Sequence, residues 1–202
     1  MLRGFIVRCS RVHLALSLGF LAVLLWTHPA WAATRTVDTL TDNASLTTCS
    51  AAPDDCSLRG ALSGASANDT IDFDSSLANQ TITLALGQLA INQPVTLDGS
   101  TAPTVTVSGN DASRVITTSQ ALTVTSLVIQ NGVASFGGGI YAGSDLRLIN
   151  SLIRNNVATA SYPIGSGGGA YVSGAISITG TSFLSNRANV FGGGVFVGGA
   201  AS

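Results

Sequence analysis

From Ile71 onward the chain alternates apolar and small polar side chains. Ile71 and Phe73, then Ile82, Leu84 and Leu86, then Val95 and Leu97, then Val105 and Val107 stand two apart, separated for the most part by Thr or Asp. Period-two alternation of this kind marks strands buried on one face. Gly87, Pro94, Asp98-Gly99-Ser100, Pro103 and Gly109-Asn110 punctuate them as turns. The pattern predicts an all-β chain of short strands.

The last third of the chain repeats. Three times an aliphatic or aromatic residue leads to an asparagine three places on and then to a glycine triplet: Val128, Asn131 and Gly137, Gly138, Gly139; Leu152, Asn155 and Gly167, Gly168, Gly169; Phe183, Asn186 and Gly192, Gly193, Gly194. The asparagines lie 24 and 31 residues apart, and the difference sits in an insertion within Thr159 to Ser166 that contains Tyr162. Self-similarity at a period of 20–50 residues marks an array in which each unit buries its apolar face against its neighbours. A unit of about 24 residues with several short strands suits one turn of a parallel β-helix, with successive turns about 4.8 Å apart. Leu122, Leu146 and Ile176 would then stack in one inward column and Val124, Leu148 and Ile178 in the next. A β-propeller or Greek-key sandwich is the competing architecture, although their repeats tend to be longer or less uniform.

Residues 1–32 read differently. Arg3, Arg8 and Arg11 precede an apolar run from Leu14 to Trp26, and Ala30-Trp31-Ala32 is a small-x-small motif. This is the layout of a secretory signal peptide cleaved between Ala32 and Ala33. The run is short for a spanning helix, which needs roughly 20 apolar residues. Residues 33–75 form a leader and capping segment, with strand character at Thr34 to Val37 and a short amphipathic helix within Ser57 to Ala65, weakened by Gly60 and Gly64. Residues 76–202 are expected to be β-helix coils.

Removing residues 1–32 changes the inventory of reactive groups. The remainder has no histidine, tryptophan, methionine, lysine or glutamate, and six arginines face ten aspartates for a net charge near −4. Without clustered positive charge, nucleic acid and anionic lipid are not expected as partners. Cys49 and Cys56, in a chain bound for an oxidising compartment, read as a disulfide rather than as free thiols. Their Cys-x6-Cys spacing and the absence of histidine do not suit a zinc site, and no cofactor or metal-ligand set is expected.

The leader and the repeats carry a resemblance. Cys56-Ser57-Leu58-Arg59-Gly60-Ala61-Leu62, followed by Asp69-Thr70-Ile71-Asp72-Phe73, resembles the CSLREA-type domain at the front of secreted bacterial β-helix proteins, with Gly60 where that motif has glutamate. The later repeats resemble the FxxN and GGA[ILV] units of polymorphic outer membrane proteins. Phe183 and Asn186 match the first and Gly168-Gly169-Ala170 the second. The resemblance implies a right-handed, pectin-lyase-like parallel β-helix with a capping helix at its first coil, displayed on or released from a bacterial surface, more often in adhesion than in catalysis.

Individual residues fit that picture. Asn131, Asn155 and Asn186 are expected to form a buried amide ladder, and the glycine triplets to supply positive φ and close approach between coils. The triplets lack the Lys-Ser/Thr of a phosphate loop and the Asp of a calcium repeat. Arg59 is expected to pair with Asp54, Asp55, Asp69 or Asp72, and Arg154 and Arg187 to be solvated. Tyr162, in the inserted loop, is the candidate recognition residue.

Glycoside hydrolysis needs two carboxyl groups across the scissile bond. Beyond Val115 the one carboxylate side chain is Asp145, and Asp98 and Asp111 read as turn residues. No catalytic residues are therefore assigned. The expected role is a non-catalytic adhesin-like or autotransporter-passenger-like surface, extracellular or on the bacterial outer membrane, that meets host-cell or bacterial glycans or proteins. A polysaccharide-active enzyme fragment and a passive stalk are the alternatives. Since the chain stops just after a glycine triplet, further coils and an anchor downstream are also expected.

Overall fold

The computed structural model describes residues 32–161 and 165–198. They form a right-handed parallel β-helix of about five coils. Strand β1 (Thr34–Val37) and helix α1 (Leu58–Ser63) come first. The first coil carries β2 (Thr70–Phe73), β3 (Thr81–Thr83) and β4 (Leu89–Ile91), and the second β5 (Val95–Asp98), β6 (Thr106–Ser108) and β7 (Ile116–Thr118). The third has four strands, β8 (Leu122–Thr125), β9 (Val128–Gln130), β10 (Val133–Ala134) and β11 (Ile140–Ala142). The fourth repeats them as β12 (Leu146–Ile149), β13 (Leu152–Arg154), β14 (Val157–Ala158) and β15 (Ala170–Val172), and the fifth as β16 (Ile176–Thr179), β17 (Ser182–Leu184), β18 (Arg187–Ala188) and β19 (Val195–Val197).

Equivalent strands pair in parallel from coil to coil. The first sheet is β1-β2-β5-β8-β12-β16, the second β3-β6-β9-β13-β17, the third β10-β14-β18 and the fourth β4-β7-β11-β15-β19. Strand β2 ends before residue 75, so the first coil begins inside the leader segment. The inward columns follow the alternation: Leu122, Leu146 and Ile176 are in register, as are Val124, Leu148 and Ile178. Ile82, Val107, Ile129, Ile153 and Phe183 line the second sheet in the same manner.

Each late coil turns at three corners, and each corner is a column of left-handed residues. Ser126, Asn150 and Gly180 (φ 55°, 48° and 60°) follow the strands of the first sheet. Asn131, Asn155 and Ser185 (φ 53°, 55° and 54°) follow those of the second, and Gly137, Gly167 and Gly192 (φ 57°, 66° and 60°) precede those of the fourth. The second and third glycines of a triplet answer a different need, because their backbone abuts the next coil. A Cβ on Gly139 would stand 2.5 Å from the carbonyl oxygen of Gly169, and one on Gly169 would stand 2.5 Å from that of Gly194. The insertion lies between β14 and β15, where 12 residues separate Ala158 from Ala170 against 6 from Ala134 to Ile140, the paired positions of the coil before.

Helix α1 closes the first coil, packing Leu58, Ala61 and Leu62 against it. Ser57 caps the helix by accepting from the Gly60 N–H at 3.0 Å. Gly60 is required there, since a Cβ would fall 1.9 Å from the Leu46 carbonyl oxygen. The Cys49–Cys56 disulfide closes the loop before the helix. Burial falls toward the fifth coil among the described residues: Leu148 is fully buried, while Ile178, its partner in register, is 44% exposed.

This gradient predicts the cost of truncating one column. Leu148→Ala should destabilise the protein by about 2–5 kcal/mol, the range for a buried Leu, and Ile178→Ala by well under half as much. Urea unfolding of the two variants checks it, and equal losses would contradict the burial pattern.

Candidate recognition face

The outward positions of the fourth sheet change character along the solenoid. The column runs Ala90, Thr117, Tyr141, Tyr171 and Phe196. Tyr141 and Tyr171 stack with ring centroids 5.7 Å apart, and Tyr171 and Phe196 follow at 5.2 Å. Coil spacing sets these distances, which fall within the range of favourable aromatic pairs. Phe136 meets Tyr141 edge-on at 5.2 Å, and Phe191, 54% exposed, lies 6.3 Å from Phe196.

Arg114 closes one end of this strip. Its guanidinium carbon lies 5.3 Å from the Phe136 ring centroid and 5.4 Å from that of Tyr141, a cation–π arrangement. It donates to the carbonyls of Gly137 and Phe136, each at 3.0 Å, and to Gln88 Oε1 at 2.8 Å. Burial draws its pKa down and the neighbouring Tyr141 draws it up, with burial the larger influence. No carboxylate pairs with it among the described residues. The inserted segment ends at the glycine triplet that leads into β15 and Tyr171. Tyr162 lies outside the described residues, as do residues 1–31 of the signal-like segment.

Two other outward features carry polar chemistry. A shallow groove beside the first sheet is lined by Thr96, Thr123, Asp145, Arg147 and Ser177. In the same sheet Asp72 and Asp98 stand in register on adjacent coils. Asp98 Oδ1 accepts from the Ser100 N–H at 3.0 Å, whereas Asp72 Oδ1 is buried without a hydrogen-bond partner. No group of three or more His, Cys, Asp or Glu that could hold a metal ion occurs among the described residues. No helix among them is long and apolar enough to cross a membrane.

The amide column differs from the one expected at Asn131, Asn155 and Asn186. Strand register aligns Asn186 with Asn156 and Gly132, because Phe183 pairs with Ile153 and Ile129. Asn156 is fully buried; its side chain donates to the Ile129 carbonyl at 3.1 Å and to Asn186 Oδ1 at 3.0 Å, and accepts from the Gly132 N–H at 2.8 Å. Asn186 donates onward to the Ile153 carbonyl at 2.8 Å. Asn131 and Asn155 sit one place earlier as left-handed corner residues, a conformation asparagine tolerates better than most. A one-residue slip carries a side chain to the other face. The spacing held the signal: Leu146 to Ile176 is 30 residues, as is Asn156 to Asn186, whereas Asn155 to Asn186 is 31.

Arg59 likewise finds a partner outside the expected set of Asp54, Asp55, Asp69 and Asp72. It grips Asp42 through two contacts, Nε to Oδ1 at 2.6 Å and Nη2 to Oδ2 at 3.0 Å, and also reaches the carbonyls of Gly87 and Gln88. Asp42 Oδ2 accepts in addition from the Ala85 and Leu86 N–H groups, each at 2.8 Å. The clamp ties α1 to the turn between β3 and β4. No protein-family model, curated protein or solved structure matches the chain.

Asn156→Ala removes the acceptor from a buried N–H and the donor from a buried carbonyl, so it should cost about 1–3 kcal/mol. Asn155→Gly keeps the left-handed corner and should cost much less. Urea unfolding of both variants checks the assignment, and the reverse order would restore the other column.

A pH dependence follows from Asp42. Burial, the largest single influence, works to raise its pKa, but the Arg59 hydrogen bond, the Leu86 N–H, the Arg59 charge and the Ala85 N–H together hold it below the ordinary value. A depressed carboxylate contributes stability above its unfolded pKa, about 3.9, that is lost as pH falls through the lower folded value. Melting temperature should therefore fall below about pH 4. In Asp42→Asn the neutral-pH melting temperature should be lower and the acid limb shallower.

Proposed function

We propose that the protein is an exported, non-catalytic β-helix of the adhesin or autotransporter-passenger kind. It meets glycans or proteins of host-cell or bacterial surfaces through the aromatic side of its later coils, from outside the cell or from the outer-membrane surface. The observation that carries this reading is the outward Tyr141–Tyr171–Phe196 column with Phe136 and Arg114 at its side. Partly exposed tyrosines combine apolar area with hydroxyls at little conformational cost, and the Arg114 guanidinium, held by three carbonyl-type acceptors and no carboxylate, keeps its positive charge beside them. The insertion leads into the same strand, and uniform solenoids concentrate recognition where a loop departs from the repeat. The signal-like first 32 residues and the resemblance to CSLREA-type and polymorphic outer membrane proteins support export and surface display.

A polysaccharide-active enzyme is the second reading, favoured by the registered Asp72–Asp98 pair, since carboxyl groups on adjacent strands suit hydrolysis with retention. One experiment separates them. Exported protein is applied to bacterial and host cells and to an array of surface glycans, and release of sugar reducing ends is followed in parallel. The adhesin reading expects binding that falls about tenfold or more in Tyr141→Ala/Tyr171→Ala, with no sugar released. Sugar release abolished by Asp72→Asn would replace it with the enzyme, and absence of both binding and release would leave a stalk.

A further inference from the structure

Ala33 stands directly after the Ala30-Trp31-Ala32 motif and directly before β1. Its carbonyl accepts from the Thr70 N–H at 2.8 Å, which opens the pairing of β1 with β2. Its own backbone nitrogen donates to Asp69 Oδ1, also at 2.8 Å. Asp69 is 1% exposed, and its second oxygen takes the Ser66 N–H at 2.9 Å and Arg35 Nε at 3.4 Å. Arg35 reaches on to the Gly64 carbonyl at the end of α1, at 2.6 Å. Ala32 and Ala33 are both exposed, as a bond open to a protease must be. A buried carboxylate thus lies against the one nitrogen that cleavage after Ala32 would convert into a chain terminus.

We propose that cleavage between Ala32 and Ala33 completes the first coil: the α-ammonium it creates pairs with Asp69 and fastens β1 to β2 and to the cap. The inference rests on the export reading above. A signal-peptide-cleaving protease adds water across the Ala32–Ala33 amide. The C–N bond breaks, Ala32 keeps the hydroxyl as a carboxyl group that loses its proton, and Ala33 leaves as an amine that takes up a proton at neutral pH. Before cleavage the same position holds a neutral N–H, so processing adds a positive charge beside a carboxylate already placed to receive it. Charge-assisted hydrogen bonds of this type are roughly twice as strong as neutral ones. Arg35 on β1 carries a like charge that opposes the added one; its Nε stands 3.4 Å from Asp69 Oδ2, a longer contact than the 2.8 Å one Ala33 makes to Oδ1. Arg59 on α1 is held away by Asp42. Among the described residues no other charged side chain hydrogen-bonds or ion-pairs with Asp69.

The sequence makes this amine addressable. The chain contains no lysine, so after cleavage the α-amine is its sole primary amine. Protein exported from a bacterial host is purified, its first residue read by N-terminal sequencing, and its acylation by an amine-reactive ester followed against pH by intact mass. The expected product begins at Ala33. Its amine should titrate about one unit above the ordinary 7.7–8.0, so acylation below pH 7 is about tenfold slower than in denaturant or in Asp69→Asn. A raised amine pKa contributes stability that is full below the unfolded value and lost as pH rises through the folded one. Melting temperature should therefore decline above about pH 8 in the free-amine form and stay level in the acylated form.

An ordinary pKa in the folded protein, or an exported product that begins elsewhere, overturns the inference and leaves export standing. A chain retained uncleaved in the cell overturns both. Should Asp69→Asn fail to fold, the denatured wild type serves as the reference.

Discussion

Every coil must return its backbone to the same place one strand-spacing along the axis, and that requirement governs the rest of the molecule. Parallel hydrogen bonds between coils form only if successive strands begin at equivalent points. The chain meets this with left-handed residues at three corners per late coil, aligned as columns through Ser126, Asn131 and Gly137 and their equivalents. Two corners tolerate Asn, Ser or Gly, because the residue there keeps its side chain outside the stack. The third demands a glycine triplet, because left-handed backbone is followed at once by two residues pressed against the next coil. Corner geometry therefore explains which repeats of the sequence are strict and which are loose.

Much of this was legible in the chain. Inward columns such as Leu122, Leu146 and Ile176 are visible because a polar residue, Thr123, Arg147 or Ser177, separates each from the next inward residue at period two, and any parallel stacking of the units brings them together. The glycine triplets were visible because in the third and fourth coils a Cβ at any of their positions would press on backbone atoms. The amide column was less so, since Asn155 and Asn156 are adjacent and identical and local pattern does not say which one turns the chain and which is buried. Register with an inward column decides between them, and that is long-range information. Arg59 illustrates the same limit: its partner Asp42 lies 17 residues earlier in an irregular segment whose path follows from the cap and not from any periodicity.

Repetition also shapes the surface. A residue type that recurs at one outward position becomes a stripe along the axis, with its members about 4.8 Å apart. For aromatic rings that spacing is favourable, so Tyr141, Tyr171 and Phe196 stabilise one another while still presenting a contact face. An exposed aromatic stripe of this kind therefore adds to stability, in contrast to an enzyme cleft, where catalytic groups are held at a cost to stability.

For charges the same spacing is unfavourable, and their distribution follows from it. Like charges opposite one another on neighbouring strands repel, so a solenoid of identical coils is best served by Thr and Ser on its outer positions, as in the Thr96–Thr123 column. The cap has no such repetition, and there a charge can be given one dedicated partner. Five of the ten aspartates, Asp38, Asp42, Asp54, Asp55 and Asp69, stand in the short segment before the first coil. Both ion pairs among the described residues, Arg35 with Asp69 and Arg59 with Asp42, tie the cap to the first coil. The low charge of the coils and the charged cap are thus two consequences of one geometry. The registered Asp72–Asp98 pair is where a coil departs from it, with a buried carboxylate oxygen left unpartnered. On stability alone, threonine, which stands at the adjacent positions Thr36 and Thr125 of that column, would suit residue 72 better than aspartate.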